Sequence, residues 1–166
     1  AGVDSIEHCN DVTTEVAREM KERGTFRSPT LCALRGITEH PDEVPGYAVK
    51  KALDTMEMSR AGMRRALREG VRHVCGTDAG TPFNPHGSAP REIVSMVQWG
   101  MTPLRALQAA TANGAELLGL TMAGRVQEGA EADLVLYEGN PIEEIERVLS
   151  PTLVMRAGDV VAGTTD

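Results

Sequence analysis

The chain has 166 residues and a net charge of −7, enough length to bury a core in one or two small domains and a charge that argues against nucleic acid or an anionic membrane surface as a partner. No apolar run reaches the length of a membrane span and no signal-peptide pattern is present. Cys9, Cys32 and Cys75 form no CxxC and read as buried thiols in a reducing, cytoplasmic setting, while an aromatic content of 3% leaves the core to Leu, Val, Ala and Met.

Residues 2–7 read as a buried strand, and Asn10 or Asp11 caps a helix over 12–23 with Val12, Val16 and Met20 on one stripe and Gly24 at its end. Thr25 to Leu31 reads as a second strand, made irregular by Pro29. A loop is expected from Arg35 to Pro45, then a long helix to about Glu69 with Val49, Leu53, Met56, Met63 and Leu67 at core spacing and Gly70 as its stop. Residues 71–77 form a third strand that delivers Asp78 at its carboxyl end, followed by a Gly/Pro/Asn-rich loop to Ser88. A helix runs from Pro90 to Trp99, and Thr102-Pro103 opens another, with a break near Gly114 and a close at Gly119. The run Arg60, Arg64, Arg65, Arg68 and Arg72 reads as a solvated face.

From about Met122 the character changes. Gly124 to Gln127, Asp133 to Tyr137, Leu153 to Arg156 and Val160-Val161 read as short strands with turns at Gly129, Asn140-Pro141 and Gly158-Asp159. The division is therefore 1–119, a β/α region, and 120–166, a small β-rich module. The strand-helix alternation of the first region demands parallel strands with right-handed crossovers. Three strands leave raw edges, a complete β/α barrel needs eight strands and about 250 residues, and the chain starts without Met, directly on a strand. It therefore reads as the closing part of a larger barrel.

Chemistry concentrates at two strand ends, His8 and Asp78, the residue types that hold a divalent metal. The strings Gly2-Val3-Asp4-Ser5-Ile6-Glu7-His8, Pro29-Thr30-Leu31, Gly76-Thr77-Asp78-Ala79-Gly80, Pro85-His86-Gly87, Gly100-Met101-Thr102-Pro103, Ala109-Ala110-Thr111 and Gly129-Ala130-Glu131-Ala132-Asp133-Leu134-Val135 occur in that order. Together they resemble the metal-dependent amidohydrolase superfamily, closest to its prolidase-like and imidazolonepropionase-like members.

The resemblance implies a (β/α)8 TIM barrel with a small β-sandwich. Residues 1–119 would supply about three C-terminal β/α units and residues 120–166 the returning strands of the sandwich. It implies that His8 is a metal ligand and that Asp78 both touches the metal and takes a proton from the attacking water. It implies a divalent ion, zinc first among Zn, Mn, Fe and Co, in one or two copies. His86 matches a loop His that contacts substrate, although Ser88-Ala89-Pro90-Arg91-Glu92 lacks the Asn of the usual Gly-x-Asn-Ala-Arg-Glu string. Arg35 and His40, in the loop after the preceding strand, could reach a substrate carboxylate, with a surface role as the competing reading. Cys9 and Cys75 have no activating base nearby in sequence and read as small hydrophobes.

The family's His-x-His, its bridging Lys and its further His are absent. A catalytic zinc usually keeps three protein ligands, so this chain alone should bind metal weakly or not at all. It reads as a truncated piece, an incomplete gene, or one chain of a split enzyme. Its barrel would be completed by the missing N-terminal half or by another chain, and an oligomer is expected. The leading function is hydrolysis of amide bonds in small dipeptide-like or cyclic amide substrates by metal-activated water. The alternative is a non-catalytic fragment or subunit. A flavodoxin-like binding domain lacks the phosphate-cradling Gly-rich turn it would need.

Overall fold

The computed structural model describes residues 2–163; the last three residues of the β-rich module lie outside the described residues. The first strand, β1 (Ser5–Glu7), and the second, β2 (Phe26–Ser28), pair in parallel with Ser5 opposite Phe26 and Glu7 opposite Ser28. Segment 71–77 joins on the far side of β2 through a single parallel bridge, Arg27 to His73. Two hydrogen bonds close it, from the Arg27 N–H to the Arg72 carbonyl and from the Val74 N–H to the Arg27 carbonyl, both 2.9 Å. The expected order of three parallel strands holds, but each is shorter than expected. Pro29, which has no N–H, stands just after β2. In 71–77, the Cys75 N–H turns to the Ala109 carbonyl at 3.0 Å and the His73 carbonyl accepts from Asn113 Nδ2 at 2.9 Å. The ladder groups of that strand are taken by helices.

Helix α1 (Thr14–Arg23) is capped by Thr13, whose hydroxyl accepts from the Val16 N–H at 3.3 Å, not by Asn10 or Asp11; Gly24 ends it with φ 70°. Val12 and Met20 are buried, whereas Val16 faces out. Helix α2 (Leu31–Thr38) occupies residues expected to finish a strand and begin a loop. Helix α3 (Gly46–Glu69) runs as expected to Gly70, but its innermost face is Ala52, Ser59, Gly62, Met63 and Ala66, and Leu53 is exposed. Small residues let this helix approach closely: a Cβ on Gly62 would stand 2.5 Å from the Asn10 carbonyl oxygen. Helix α4 (Ala89–Gln98) is followed by α5 (Pro103–Ala110), capped by Thr102. Helix α6 (Ala112–Leu117) is separated from α5 at Thr111, not near Gly114.

Beyond α6, strands β3 (Leu134–Tyr137), β4 (Pro151–Arg156) and β5 (Asp159–Gly163) make an antiparallel sheet in that order. Gly124 to Gln127 is not a strand. A 3₁₀ turn, Ile145–Leu149, inserts Ile145 and Val148 into the core against α4. That core contains Leu31, Met63, Ile93, Met96, Trp99 and Met101, and a smaller one gathers Val12, Ala17, Met20, Ala66 and Val71 under α1 and α3. Each large side chain buried this way contributes roughly 1.5–3 kcal/mol. Among the described residues no helix is long and apolar enough to cross a membrane.

Candidate active site at the strand ends

The residues that follow the three parallel strands share an unusual backbone. His8, Thr30 and Asp78 have φ of 61°, 51° and 55°. Left-handed backbone is uncommon outside glycine and a genuine outlier for β-branched Thr, costing on the order of 1–3 kcal/mol. Parallel pairing puts all three at one edge of the sheet, where such folds build their sites.

His8 continues β1 through one more bond, its N–H donating to the Ser28 carbonyl at 2.8 Å. Its Nδ1 lies 2.6 Å from the Thr30 hydroxyl, which donates to the Pro29 carbonyl at 2.8 Å. A hydroxyl has one proton. With that proton on Pro29, Nδ1–H is the donor to Thr30 and Nε2 keeps its lone pair, the arrangement a metal-ligating imidazole requires. The His8 carbonyl accepts from Arg27 Nη2 at 3.0 Å. Arg27 is fully buried and its Nη1 meets Met63 Sδ at 3.0 Å. Desolvation pulls Arg27 down to about 10, with the Cys9 thiol and Glu92 opposing.

Asp78 is exposed, and its carboxylate has no hydrogen-bond partner among the described residues. Its backbone is fixed by Asn84, which is 3% exposed and whose Nδ2 donates to the carbonyls of Thr77 at 2.7 Å and Asp78 at 2.9 Å. Gly76 brings this strand against β2 so closely that a Cβ would run into Ser28 Oγ. His8 and Asp78 therefore flank the end of β2, with Thr30 between them.

Of the other expected residues, His86 is exposed in the loop after the third strand. Arg35 is on α2 rather than in a loop. Its Nε donates to Glu39 at 2.8 Å, and its Nη1 donates to Ser95 Oγ at 2.9 Å and Gln98 Oε1 at 2.8 Å. These bonds tie α2 to α4. His40 Nδ1 donates to the Gly36 carbonyl, 2.9 Å away, and the ring stacks on Phe83 with centroids 4.1 Å apart, pinning the 81–87 loop to the end of α2. Cys32 is buried, but Cys9 and Cys75 are only half-buried. Burial pushes the thiols up, Cys32 and Cys75 to about 12, so all three stay protonated.

Three contributors are given no role by the sequence, although two of them lie in strings quoted above: Thr30, Asn84 and Glu92. The first is visible as a Pro-Thr pair closing a strand, the second as an Asn-Pro pair in the loop. Glu92 is fully buried on α4, and its Oε1 and Oε2 accept from the N–H groups of Leu31 at 2.9 Å and Cys32 at 2.8 Å. Burial raises its carboxyl while those two N–H groups pull it down.

No group of three or more His, Cys, Asp or Glu side chains among the described residues gathers to hold an ion. The donor chemistry nonetheless fits part of a divalent-metal site: an exposed imidazole held at Nδ1 by Thr30 and a carboxylate without competing bonds, on one sheet edge.

A profile described as "Amidohydrolase family" matches residues 1–161. Ochratoxinase from Aspergillus niger is 31% identical over 172 aligned residues, 98% of this chain and 35% of that protein. Imidazolonepropionase from Pseudoalteromonas atlantica is 28% identical over 108 residues, 59% of this chain and 26% of that one. The crystal structure of a Xaa-Pro dipeptidase with bound methionine in the active site superposes with a TM-score of 0.87 and 34% identity, covering 98% of this chain and 40% of that one. The chain thus spans less than half the length of the relatives it matches.

Proposed function

The chain belongs to the amidohydrolase family, and on that footing we propose that it is the carboxyl-terminal part of a metal-dependent hydrolase that cleaves C–N amide bonds of small dipeptide-like or cyclic amide substrates. The observation that carries this reading is the pairing of two strand ends: His8, whose Nδ1 meets the Thr30 hydroxyl, and Asp78, whose carboxylate has no hydrogen-bond partner among the described residues, one strand apart on the same edge. The resemblance to a Xaa-Pro dipeptidase supports a dipeptide-like substrate.

In this reading, residues 1–119 form the last β/α units of a (β/α)8 barrel and residues 120–166 part of a β-sandwich. His8 Nε2 and Asp78 hold a divalent cation, zinc in the first instance, with further ligands from outside residues 1–166. That cation, when bound, lowers the pKa of a water to about 7 and polarises the substrate carbonyl. Asp78 accepts the proton of the attacking water and returns it to the departing nitrogen. Asn84 holds Asp78 in place for both transfers. His86, exposed on the loop beside Asp78, contacts substrate. The three unpaired cysteines support a cytoplasmic location.

The two available donors also favour a second reading, in which these residues alone are inactive and act only when a further barrel segment, from the same or another chain, covers the open edge. The test is hydrolysis of dipeptide and cyclic-amide panels by the full-length, zinc-loaded protein. Asp78→Asn should lower kcat by about 100- to 10,000-fold. Unchanged turnover in that variant would remove Asp78 from the chemistry.

A further inference from the structure

We propose that Thr30 is a positioning residue that sets the tautomer of His8, and that Glu92 holds Thr30 to that task; this rests on the reading of His8 as a metal ligand. The Thr30 side chain is nearly sealed from solvent at 5% exposure, and its hydroxyl has two neighbours of opposite demand. The Pro29 carbonyl, at 2.8 Å, can only accept, and His8 Nδ1, at 2.6 Å, is left to donate. The imidazole is thereby held with the proton on Nδ1 and Nε2 bare. A ligating histidine needs such an outer partner to fix its orientation and proton.

The backbone shows that the fold does not choose Thr here for its own sake. At φ 51° and ψ 46° glycine would sit without strain, and a β-branched residue does not. A strained residue persists where its surroundings over-determine it. The surroundings are Glu92, which lies on α4, 62 positions after Thr30 in the chain. Its two oxygens take the N–H groups of Leu31 and Cys32, the two residues immediately after Thr30. That clamp fixes the start of α2 and with it the direction of the Thr30 side chain. A carboxylate with no exposure at all is costly to bury unless paired, and both of its bonds serve this one turn. The line of contact runs from Glu92 through the turn at Leu31 to Thr30 and on to His8 Nδ1.

The test uses the full-length protein in four forms: wild type, Thr30→Gly, Thr30→Val and Thr30→Ser. The readouts are the ¹⁵N chemical shifts of the His8 ring nitrogens without metal, and the affinity for zinc by competition with a chromophoric chelator. Wild type and Thr30→Ser should show Nδ1 protonated and bind zinc alike. Thr30→Val and Thr30→Gly should lose that tautomer and bind zinc about 10- to 100-fold more weakly. Thr30→Gly keeps the comparison valid if Thr30→Val fails to fold, since it relieves the backbone while deleting the hydroxyl; a purely structural Thr30 would leave zinc affinity unchanged in it. Glu92→Gln should move both readouts in the same direction as Thr30→Gly. A wild-type tautomer and zinc affinity in Thr30→Gly would overturn the proposal, as would wild-type protein with Nε2 protonated. His8→Ala separates the two levels. If it weakens zinc binding while Thr30→Gly does not, only the positioning role fails; if it has no effect, the metal-ligand reading fails as well.

Discussion

Asn84 is where Asp78 is most vulnerable. Its Nδ2 faces three oxygens, the carbonyls of Thr77 and Asp78 and the Thr81 hydroxyl at 3.1 Å. Asn84→Asp would replace that donor with a carboxylate facing the same oxygens. We expect a loss of about 1–3 kcal/mol in stability and a larger fractional loss of kcat than of substrate affinity, read from denaturant titration and steady-state kinetics. Wild-type kcat in Asn84→Asp would show that the loop is held by other means. His73 carries a different liability. It is buried beside Arg27, its Nδ1 is 3.0 Å from the Val71 carbonyl, and desolvation, then the Arg27 charge, pulls its pKa down to about 3. Its folded pKa lies below its ordinary value of 6.5, so the unfolded chain binds the proton more readily between those values. The stabilisation is complete above pH 6.5 and is lost as pH falls towards 3, by about 2 kcal/mol at pH 5. Equilibrium unfolding at pH 5 and pH 8 should show that gap in the wild type and a smaller one in His73→Gln; equal gaps would place the acid sensitivity elsewhere.

Among elements, α3 gives the sharpest test. By helix propensity alone, Gly62→Ala should stabilise by about 1 kcal/mol. A Cβ at this position would meet the Asn10 carbonyl oxygen at 2.5 Å and the Val12 nitrogen at 3.2 Å, backbone atoms that cannot rotate away. Net destabilisation of about 1–3 kcal/mol is therefore expected by thermal or denaturant unfolding; a more stable variant would mean that α3 does not approach the β1 turn this closely. The elements legible from the residues are those whose signals are local. Gly24 and Gly70 end α1 and α3, Thr102-Pro103 opens α5, and His8 and Asp78 stand at strand ends. The illegible ones depend on distant partners. Helix α2 has no side-chain cap of its own, because its free N–H groups are satisfied by Glu92 from another helix. The third strand shrinks to one bridge because Ala109 and Asn113 take its ladder groups. Arg35 reads as a loop residue for the same reason: only the fold brings Ser95 and Gln98 to its guanidinium.

On the scale of the whole molecule, three parallel segments present their carboxyl ends on one edge, and the module that carries the antiparallel sheet is anchored through Ile145 and Val148. The β-rich module is thus not isolated from the β/α region, since its 3₁₀ turn shares a core with α4. Val135, Leu136, Val160 and Val161 remain exposed on β3 and β5, and because neighbouring strand residues point to opposite faces, this sheet is open at these positions on both sides. The proposed function depends on His8 and Asp78 meeting a common ion. The most direct measurement is the anomalous difference map of crystals of the full-length protein loaded with zinc. A peak about 2.0–2.2 Å from both His8 Nε2 and an Asp78 carboxylate oxygen is expected. A peak bonded to neither residue, or an imidazole turned to bind through Nδ1, would contradict that arrangement.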